Sequence, residues 1–363
     1  MSVEPLKARV VVVGAGPAGG ACAATLALLG IDPVVLVDRA TFPRPKPCAG
    51  GLGPGAGAAL ASLGLWDRVK AEANLITGLR GVTPSGRTFS TSGRASALVL
   101  PRERFDAMLA FHARDLGVRF VMGERVTNVL RDGDTPAGVV TSKGRTIEAV
   151  WTVIAAGGRT KLAPAANGRG GTRLLRSAIA RYEGFEVDAR FVEFYFDRAI
   201  SPMYGWVFPE GPSTANVGLC YDWDRFPGRP PKDVFYGFAD RYLGDRLRKA
   251  RRVGPLAGAP ICTGFAPAGI ARPGLLVAGE AGWLVNPVTG EGIPQALTSG
   301  ILAAEAIADH LRGRRGAVES AALYEKRVKL SVCPGLLIGE VLRAIGPGIL
   351  EIAPALQSLM HPG

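Results

Sequence analysis

The run Arg9-Val10-Val11-Val12-Val13-Gly14-Ala15-Gly16-Pro17-Ala18-Gly19 constrains the architecture of this chain more than any other stretch. Four consecutive valines read as a strand buried on both faces, because β-branched residues without polar alternation suit the middle of a parallel sheet. The glycines then follow the pattern GxGxxG. Gly14 permits the sharp turn from strand to helix, Gly16 lets backbone approach a pyrophosphate, and Gly19 lets the helix lie close to the strand. "PAGGACAATLALLG" predicts a small-residue helix ending at Gly30, and "PVVLVD" a second strand ending at Asp38. Residues 9–38 therefore form a βαβ unit. A helix N-terminus offers unpaired N–H groups to phosphates. An acid at the end of the second strand accepts hydrogen bonds from an adenosine ribose and repels a 2′-phosphate. The expected ligand of this end is a dinucleotide.

A second element of the same style comes late. "LLVAGEAGWLVNPVTGEGIPQALTSG" (275–300) predicts a strand, the pair Gly279-Glu280, a loop containing Asn286-Pro287, and a helix opening at Gly290-Glu291-Gly292-Ile293. Glu280 is placed to bond ribityl hydroxyls, and a helix starting near Gly292 aims positive potential at whatever lies before it. Between the two elements stands "LPRERFDAML", in which Arg102 is either a partner for the pyrophosphate or ribityl chain, or a surface arginine beside a helix-capping Asp106.

The rest of the chain fills in the plan. "RFDAMLAFHARDLG" (104–117) has helical periodicity, and "AVWTVIAAGG" (149–158) is a further buried strand. From about 170 to 262 the apolar residues alternate as in antiparallel strands. The fold class expected is α/β: a discontinuous Rossmann-like nucleotide-binding domain (1–80, 100–168 and 263–325), an inserted antiparallel-sheet domain (81–99 and 169–262) and a C-terminal helical segment (326–363). That last segment is apolar and broken by Pro and Gly. It is expected to pack on the body, with a dimer contact or a lipid interface as its other possible uses.

Composition excludes several classes. The 363 residues suffice for two domains, and 47% hydrophobic content supports a sizeable core. Five scattered cysteines and three isolated histidines, without CxxC, argue against a disulfide framework or a structural metal site. A reducing cytoplasm fits this usage. The N-terminus carries no signal-peptide pattern, and no uncharged stretch reaches the length of a spanning helix. The net charge of +12 has its densest cluster in "RLRKARR" (246–252). No nucleic-acid module accompanies it, so it is a solvated face, or a contact for the inner face of a membrane if the substrate is a lipid.

Two further stretches carry a resemblance. The GxGxxG with Asp38, the Arg102-x-x-Phe105-Asp106 pattern and the Gly-Glu, Asn-Pro, Gly-Glu-Gly block are similar to the para-hydroxybenzoate hydroxylase-like superfamily of FAD-dependent enzymes. "KPCAGGL" (46–52) and "YGWVFP" (204–209) resemble the geranylgeranyl reductase family within it, over roughly residues 9–325. The resemblance implies FAD as cofactor, contacted by Gly14, Ala15, Gly16, Pro17, Ala18, Gly19, Asp38, Arg39, Cys48, Ala49, Gly51, Arg102, Val126, Gly279, Glu280, Gly290, Gly292 and Ile293. It implies that the glycines after Cys48 let the backbone pass the isoalloxazine closely, with the thiol beside it. The expected reaction is reduction of an isolated C=C bond in a prenyl chain of a lipid, quinone or pigment precursor. Hydride would come from flavin N5, and a proton from Cys48 or a tyrosine such as Tyr204. Tyr204, Trp206 and Phe208 share one side of a strand by period two and would wall the substrate tunnel.

The chain departs from the family pattern at three points. Gly157-Gly158 stands where many relatives have Asp-Gly, which leaves the electron donor open between NADPH and a ferredoxin-like protein. Glu280 replaces an aspartate, and Asp38 stands where many relatives carry a glutamate. Three other uses of the scaffold compete. One is a flavin monooxygenase or halogenase, although no lysine stands out as the halogenase active-site residue. Another is an oxidoreductase acting on a non-isoprenoid substrate, and the third is a flavin- or lipid-binding protein without turnover.

Overall fold

The computed structural model describes residues 4–163, 173–264 and 269–345. The chain opens as β1 (Leu6–Val13), α1 (Pro17–Leu28) and β2 (Val34–Asp38), the βαβ unit expected from its valines and glycines. It continues through β3 (Gly51–Leu52), α2 (Gly55–Ser62), α3 (Trp66–Glu72), the long hairpin of β4 (Asn74–Val82) and β5 (Thr88–Val99), and α4 (Arg102–Asp115). Then come β6 (Arg119–Met122), β7 (Val126–Asp132), β8 (Thr135–Thr141) and β9 (Thr146–Ile154). The middle of the chain holds β10 (Arg173–Glu183), β11 (Phe191–Tyr195), β12 (Gly205–Pro209), β13 (Thr214–Asp222), α5 (Pro231–Lys249), β14 (Arg251–Ala257) and β15 (Pro260–Thr263). β16 (Ala271–Arg272), β17 (Leu275–Val277), a 3-10 turn at Gly279–Gly282, α6 (Ile293–Leu311), α7 (Ala317–Ser331) and α8 (Cys333–Ile345) complete it.

The first sheet has the order β17-β9-β1-β2-β6 with all four pairings parallel, and β16 antiparallel at its edge. Val10 to Val13 are buried because helices cover the sheet. α1 and α6 pack together through small residues. A Cβ on Gly300 of α6 would lie 2.1 Å from the Ala18 carbonyl oxygen, so the contact requires glycine there. α6 buries Ile293, Leu297, Gly300, Ala304 and Ile307, the three-and-four spacing of a core-facing helix.

The second sheet runs β14-β10-β13-β12-β11-β4-β5-β3, with β15 also on β10. Only β11 and β4 are parallel neighbours among these pairs. β4 and β5 both lie in this sheet with the short β3, so its N-terminal contribution takes in all of 74–99 and reaches back to Gly51. The alternation along β12 and β13 sorts their side chains. Val207, Val217, Leu219 and Tyr221 pack with Val234, Phe235 and Phe238 of α5. Trp206, Phe208 and Cys220 face the other way, toward the first domain.

α5 is a difference from the sequence reading, which took the whole stretch from 170 to 262 as strands. Its signal is present: Val234, Phe235, Phe238, Ala239 and Leu243 are its buried residues, spaced for one helix face. The alternating strands on either side masked it. The C-terminal helices also divide in character. Tyr324 of α7 is buried and its O–H donates to the Val277 carbonyl at 2.6 Å. On α8, Cys333 and Leu336 join the core, whereas Leu337, Ile338, Val341 and Leu342 are exposed. The part of the C-terminal segment beyond 345 lies outside the described residues. No helix among the described residues is long and apolar enough to cross a membrane, and they hold no metal-ligating cluster.

Candidate active site

A single cavity of about 1270 Å³ runs between the two sheets. That exceeds the ~300–1,000 Å³ of a site for one drug-sized ligand. One end is the first glycine turn. Gly14 has φ +99°, and a Cβ there would sit 2.5 Å from the Ala155 carbonyl oxygen. A Cβ on Gly19 would fall 1.7 Å from the Gly14 carbonyl oxygen, so the start of α1 lies on the turn as closely as backbone allows. Gly16 differs. It has an ordinary φ of −77°, and a Cβ there would meet nothing closer than Arg44 Nη2 at 3.7 Å. The protein itself does not need a glycine at Gly16, which faces the cavity. Asp38 accepts hydrogen bonds from the N–H of Ala15 and of Ala40, both at 2.8 Å. It thereby braces the turn, and its carboxylate keeps lone pairs for ribose hydroxyls. Arg39 and Val126 line the cavity beside it.

The late glycine element forms another part of the wall. Glu280 Oε1 accepts from the Cys262 N–H at 3.0 Å, and the Gly279 N–H donates to Ser299 Oγ at 2.9 Å. Glu280, Gly290, Gly292 and Ile293 line the cavity, with the open N-terminus of α6 behind them. Burial pushes the Glu291 carboxyl above its ordinary pKa, although it accepts a hydrogen bond from the Gly53 N–H. Ala15, Gly19 and Gly279 do not reach the cavity surface. They hold the residues that do.

Arg102 lines the cavity, but its guanidinium fork is committed. Nε and Nη2 donate to the two oxygens of Asp106 at 2.7 and 2.9 Å, and Arg44 Nη2 reaches the same carboxylate at 3.0 Å. Arg102 is 7% exposed and Asp106 0%, so this is neither a surface arginine nor a helix cap. Lys46 also faces the cavity, half-buried. Burial, with the Arg102 charge adding to it, depresses the Lys46 pKa. Neither Arg44 nor Lys46 stands out in the sequence. Both lie in the Pro-rich loop before Cys48, where local pattern does not reveal burial.

The Cys48 loop lines the same cavity. Cys48 is half-buried, whereas Cys22, Cys220, Cys262 and Cys333 are buried. Its Sγ accepts from the Gly50 N–H at 3.4 Å and also interacts with Arg102. Ala49 and Gly51 line the cavity with it. β3 pairs with β5, which stitches the loop to the edge of the second sheet. A Cβ on Gly51 would approach Phe208 Cε2 to 2.7 Å, so the ring lies directly on the loop.

The second sheet supplies the opposite wall. Phe194 contacts Tyr204 and Phe208 edge-on, with centroids 5.1 and 5.5 Å apart, and Trp206 stands 6.0 Å from Tyr204. Ile76, Leu79, Val99 and Val192 extend this wall with aliphatic surface. The Tyr204 O–H donates to the Thr289 carbonyl, and burial raises the phenol pKa well above its ordinary value, so it stays neutral. Trp206 Nε1 donates to Asn216 Oδ1 at 3.0 Å, and Asn216 Nδ2 donates to the Cys48 carbonyl at 2.9 Å. Phe194 was legible in the alternation of "RFVEFYFD" but not singled out. Asn216 could not be read, because its role depends on the pairing of β12 with β13.

Comparison with known proteins agrees with this geometry. Residues 7–179 match the family described as FAD binding domain, and residues 176–258 match the geranylgeranyl reductase catalytic domain. The chain is 33% identical to a menaquinone reductase of Mycolicibacterium smegmatis, over 82% of this chain and 76% of that protein. It is 30% identical to a digeranylgeranylglycerophospholipid reductase of Methanothrix thermoacetophila, over 90% and 84% of the two chains. A solved geranylgeranyl bacteriochlorophyll reductase-like protein of Thermoplasma acidophilum superposes with a TM-score of 0.83 at 22% identity, covering 94% of this chain and 88% of that one.

The site fits FAD on its own residues. Gly16 leaves open the space a Cβ would take in front of α1, the Asp38 carboxylate lines the same cavity at the end of β2, and the α6 N-terminus opens on it. Gly16→Ala is therefore expected to keep apoprotein stability within about 1 kcal/mol, the scale of a changed N-cap residue. The same variant is expected to weaken FAD binding about tenfold or more, ~1.4 kcal/mol. Urea unfolding and fluorescence titration with FAD read the two quantities separately.

Proposed function

Because this chain belongs to the geranylgeranyl reductase family of FAD-dependent oxidoreductases, we propose that it saturates isolated C=C bonds in a prenyl chain borne by a lipid, quinone or pigment precursor. The observation that carries this reading is the half-buried thiol of Cys48, set between the nucleotide-binding turns and a wall of aromatic and aliphatic side chains. The relatives named for menaquinone and for digeranylgeranylglycerophospholipid share a polyprenyl substrate class.

FAD, once bound and reduced, supplies the hydride. The protein has to exclude water, hold the alkene in contact and deliver a proton to the second carbon, because an unactivated alkene accepts hydride poorly. Phe194, Trp206 and Phe208, with Ile76, Leu79 and Val192, provide the dry wall for the chain. Tyr204 is a weak candidate for the acid, since its proton is engaged by Thr289 and burial disfavours its loss. Cys48 is the stronger one. After it gives up its proton, the sulfur accepts from the Gly50 N–H and faces the Arg102 guanidinium. Electrons come from NADPH or a ferredoxin-like protein, and neither Gly157 nor Gly158 offers a carboxylate to help hold a nicotinamide.

The deciding experiment incubates dithionite-reduced protein, without oxygen, with menaquinone and with digeranylgeranylglycerophospholipid. Fragmentation mass spectrometry is expected to place two added hydrogens on the prenyl chain itself, beyond any quinone-to-quinol reduction, per flavin reoxidised. A product that carries oxygen and forms only in air, or binding without turnover, would overturn the reading. The net charge of +12 and the apolar residues exposed on α8 support a peripheral contact with an anionic lipid surface. Sedimentation with phosphatidylglycerol vesicles is expected to fall when Ile338 is replaced (Ile338→Asp). Equal sedimentation of parent and variant would remove α8 from the contact.

A further inference from the structure

We propose that Asn216 is a positioning residue for Cys48, and that it orients the thiol loop from the second sheet through the Cys48 carbonyl. The inference rests on the reductase reading only for its kinetic consequence. The geometry stands apart from it.

Asn216 is buried on β13, across from Phe208 of β12. Its amide faces three partners. Oδ1 accepts from Trp206 Nε1 at 3.0 Å, Nδ2 donates to the Cys48 carbonyl at 2.9 Å, and the side chain also hydrogen-bonds Glu210. An indole N–H only donates, and a backbone carbonyl only accepts. The amide therefore has one orientation that satisfies both, and a flipped amide loses both. The indole is fixed in turn, because Trp206 lies over Gly218, where a Cβ would come within 2.4 Å of the ring. The far end of the loop has its own anchor, where the Gly53 N–H reaches Glu291. The Asn216 link holds the Cys48 backbone, whereas Gly50 and Arg102 meet its sulfur.

This arrangement couples substrate wall to acid. Trp206 faces the cavity, and its N–H sets the amide that holds Cys48. A displacement of about 1 Å at a reacting group costs about 10²-fold in rate. Asn216→Leu keeps the branched shape and removes the hydrogen bonds to Trp206, Cys48 and Glu210. It is expected to lower alkene reduction by about 10²-fold while FAD affinity and KM stay near the parent values. It is also expected to change the rate at which iodoacetamide alkylates Cys48, read by peptide mass spectrometry, severalfold and independently of turnover. In a Cys48→Ala background, Asn216→Leu is expected to add nothing further, because both act through one group.

Should Asn216→Leu fail to fold, Trp206→Phe removes the indole donor together with part of the ring, and a smaller change of the same sign in Cys48 alkylation is expected. Parent-like alkylation in the folded variant, or fully additive losses in the double variant, would overturn the proposal. If the parent protein reduces no prenyl alkene, the reductase reading fails, and the alkylation result still decides the role of Asn216.

Discussion

Asp106→Ala is expected to destabilise the apoprotein by about 3–5 kcal/mol, the range for removing one partner of a buried ion pair. Asp106 is fully buried and pairs with both Arg102 and Arg44. Its loss strands the Arg102 guanidinium, itself 7% exposed, without a counter-charge. Arg44 retains more access to the cavity and contributes less. Urea unfolding of the apoprotein measures the effect, with the change in midpoint multiplied by the parent slope. The control is Arg102→Met with Asp106→Leu. If the cause is the uncompensated charge, the paired apolar replacement recovers much of the loss, because it removes the desolvated cation together with its partner. If the double variant is as unstable as Asp106→Ala, packing at α4 is responsible instead. FAD affinity then reports a second role for Arg102, since its side chain lines the cavity in both situations.

This pair also marks the limit of what the sequence discloses. The β1–α1–β2 unit was legible because its signals are local: a valine run, spaced glycines and an acid at a strand end. The start of α6 was legible for the same reason. Arg102 was recognisable as a residue of interest, but whether its fork met a ligand, solvent or Asp106 depended on how α4 buries against α1. The antiparallel texture of the second sheet was visible in its period-two stretches. The parallel neighbours β4 and β11 were not, since residues more than a hundred positions apart meet there without any local mark. α5 shows the opposite failure, a clear helical spacing overlooked inside a strand-rich context. Asn216 lies deepest, because Trp206 and Glu210 across the β12–β13 hairpin and the distant Cys48 define it together, and only the folded register brings the three to one amide.

Cys48→Ala is expected to lower alkene reduction by about 10²–10⁴-fold, the range for losing a general acid. Bound FAD is expected to survive, because the glycine turns at Gly14–Gly19 and Gly290–Gly292 do not depend on the thiol. In deuterium oxide both added hydrogens are expected to be deuterium, because the N–H of a reduced flavin exchanges with solvent, and the one delivered as a proton would reach a single face of each saturated bond if it comes from a thiol held by Gly50 and Asn216. Without the thiol, protonation depends on water that reaches the cavity, and the facial preference is expected to erode along with the rate. Cys48→Ser separates acidity from shape. A hydroxyl of similar size fills the place but is a far weaker acid, so the serine variant is expected to keep facial selectivity while turning over slowly. Parent-like turnover by Cys48→Ala would assign the thiol to packing and move the proton to Tyr204, whose contact with Thr289 would then have to break during each cycle.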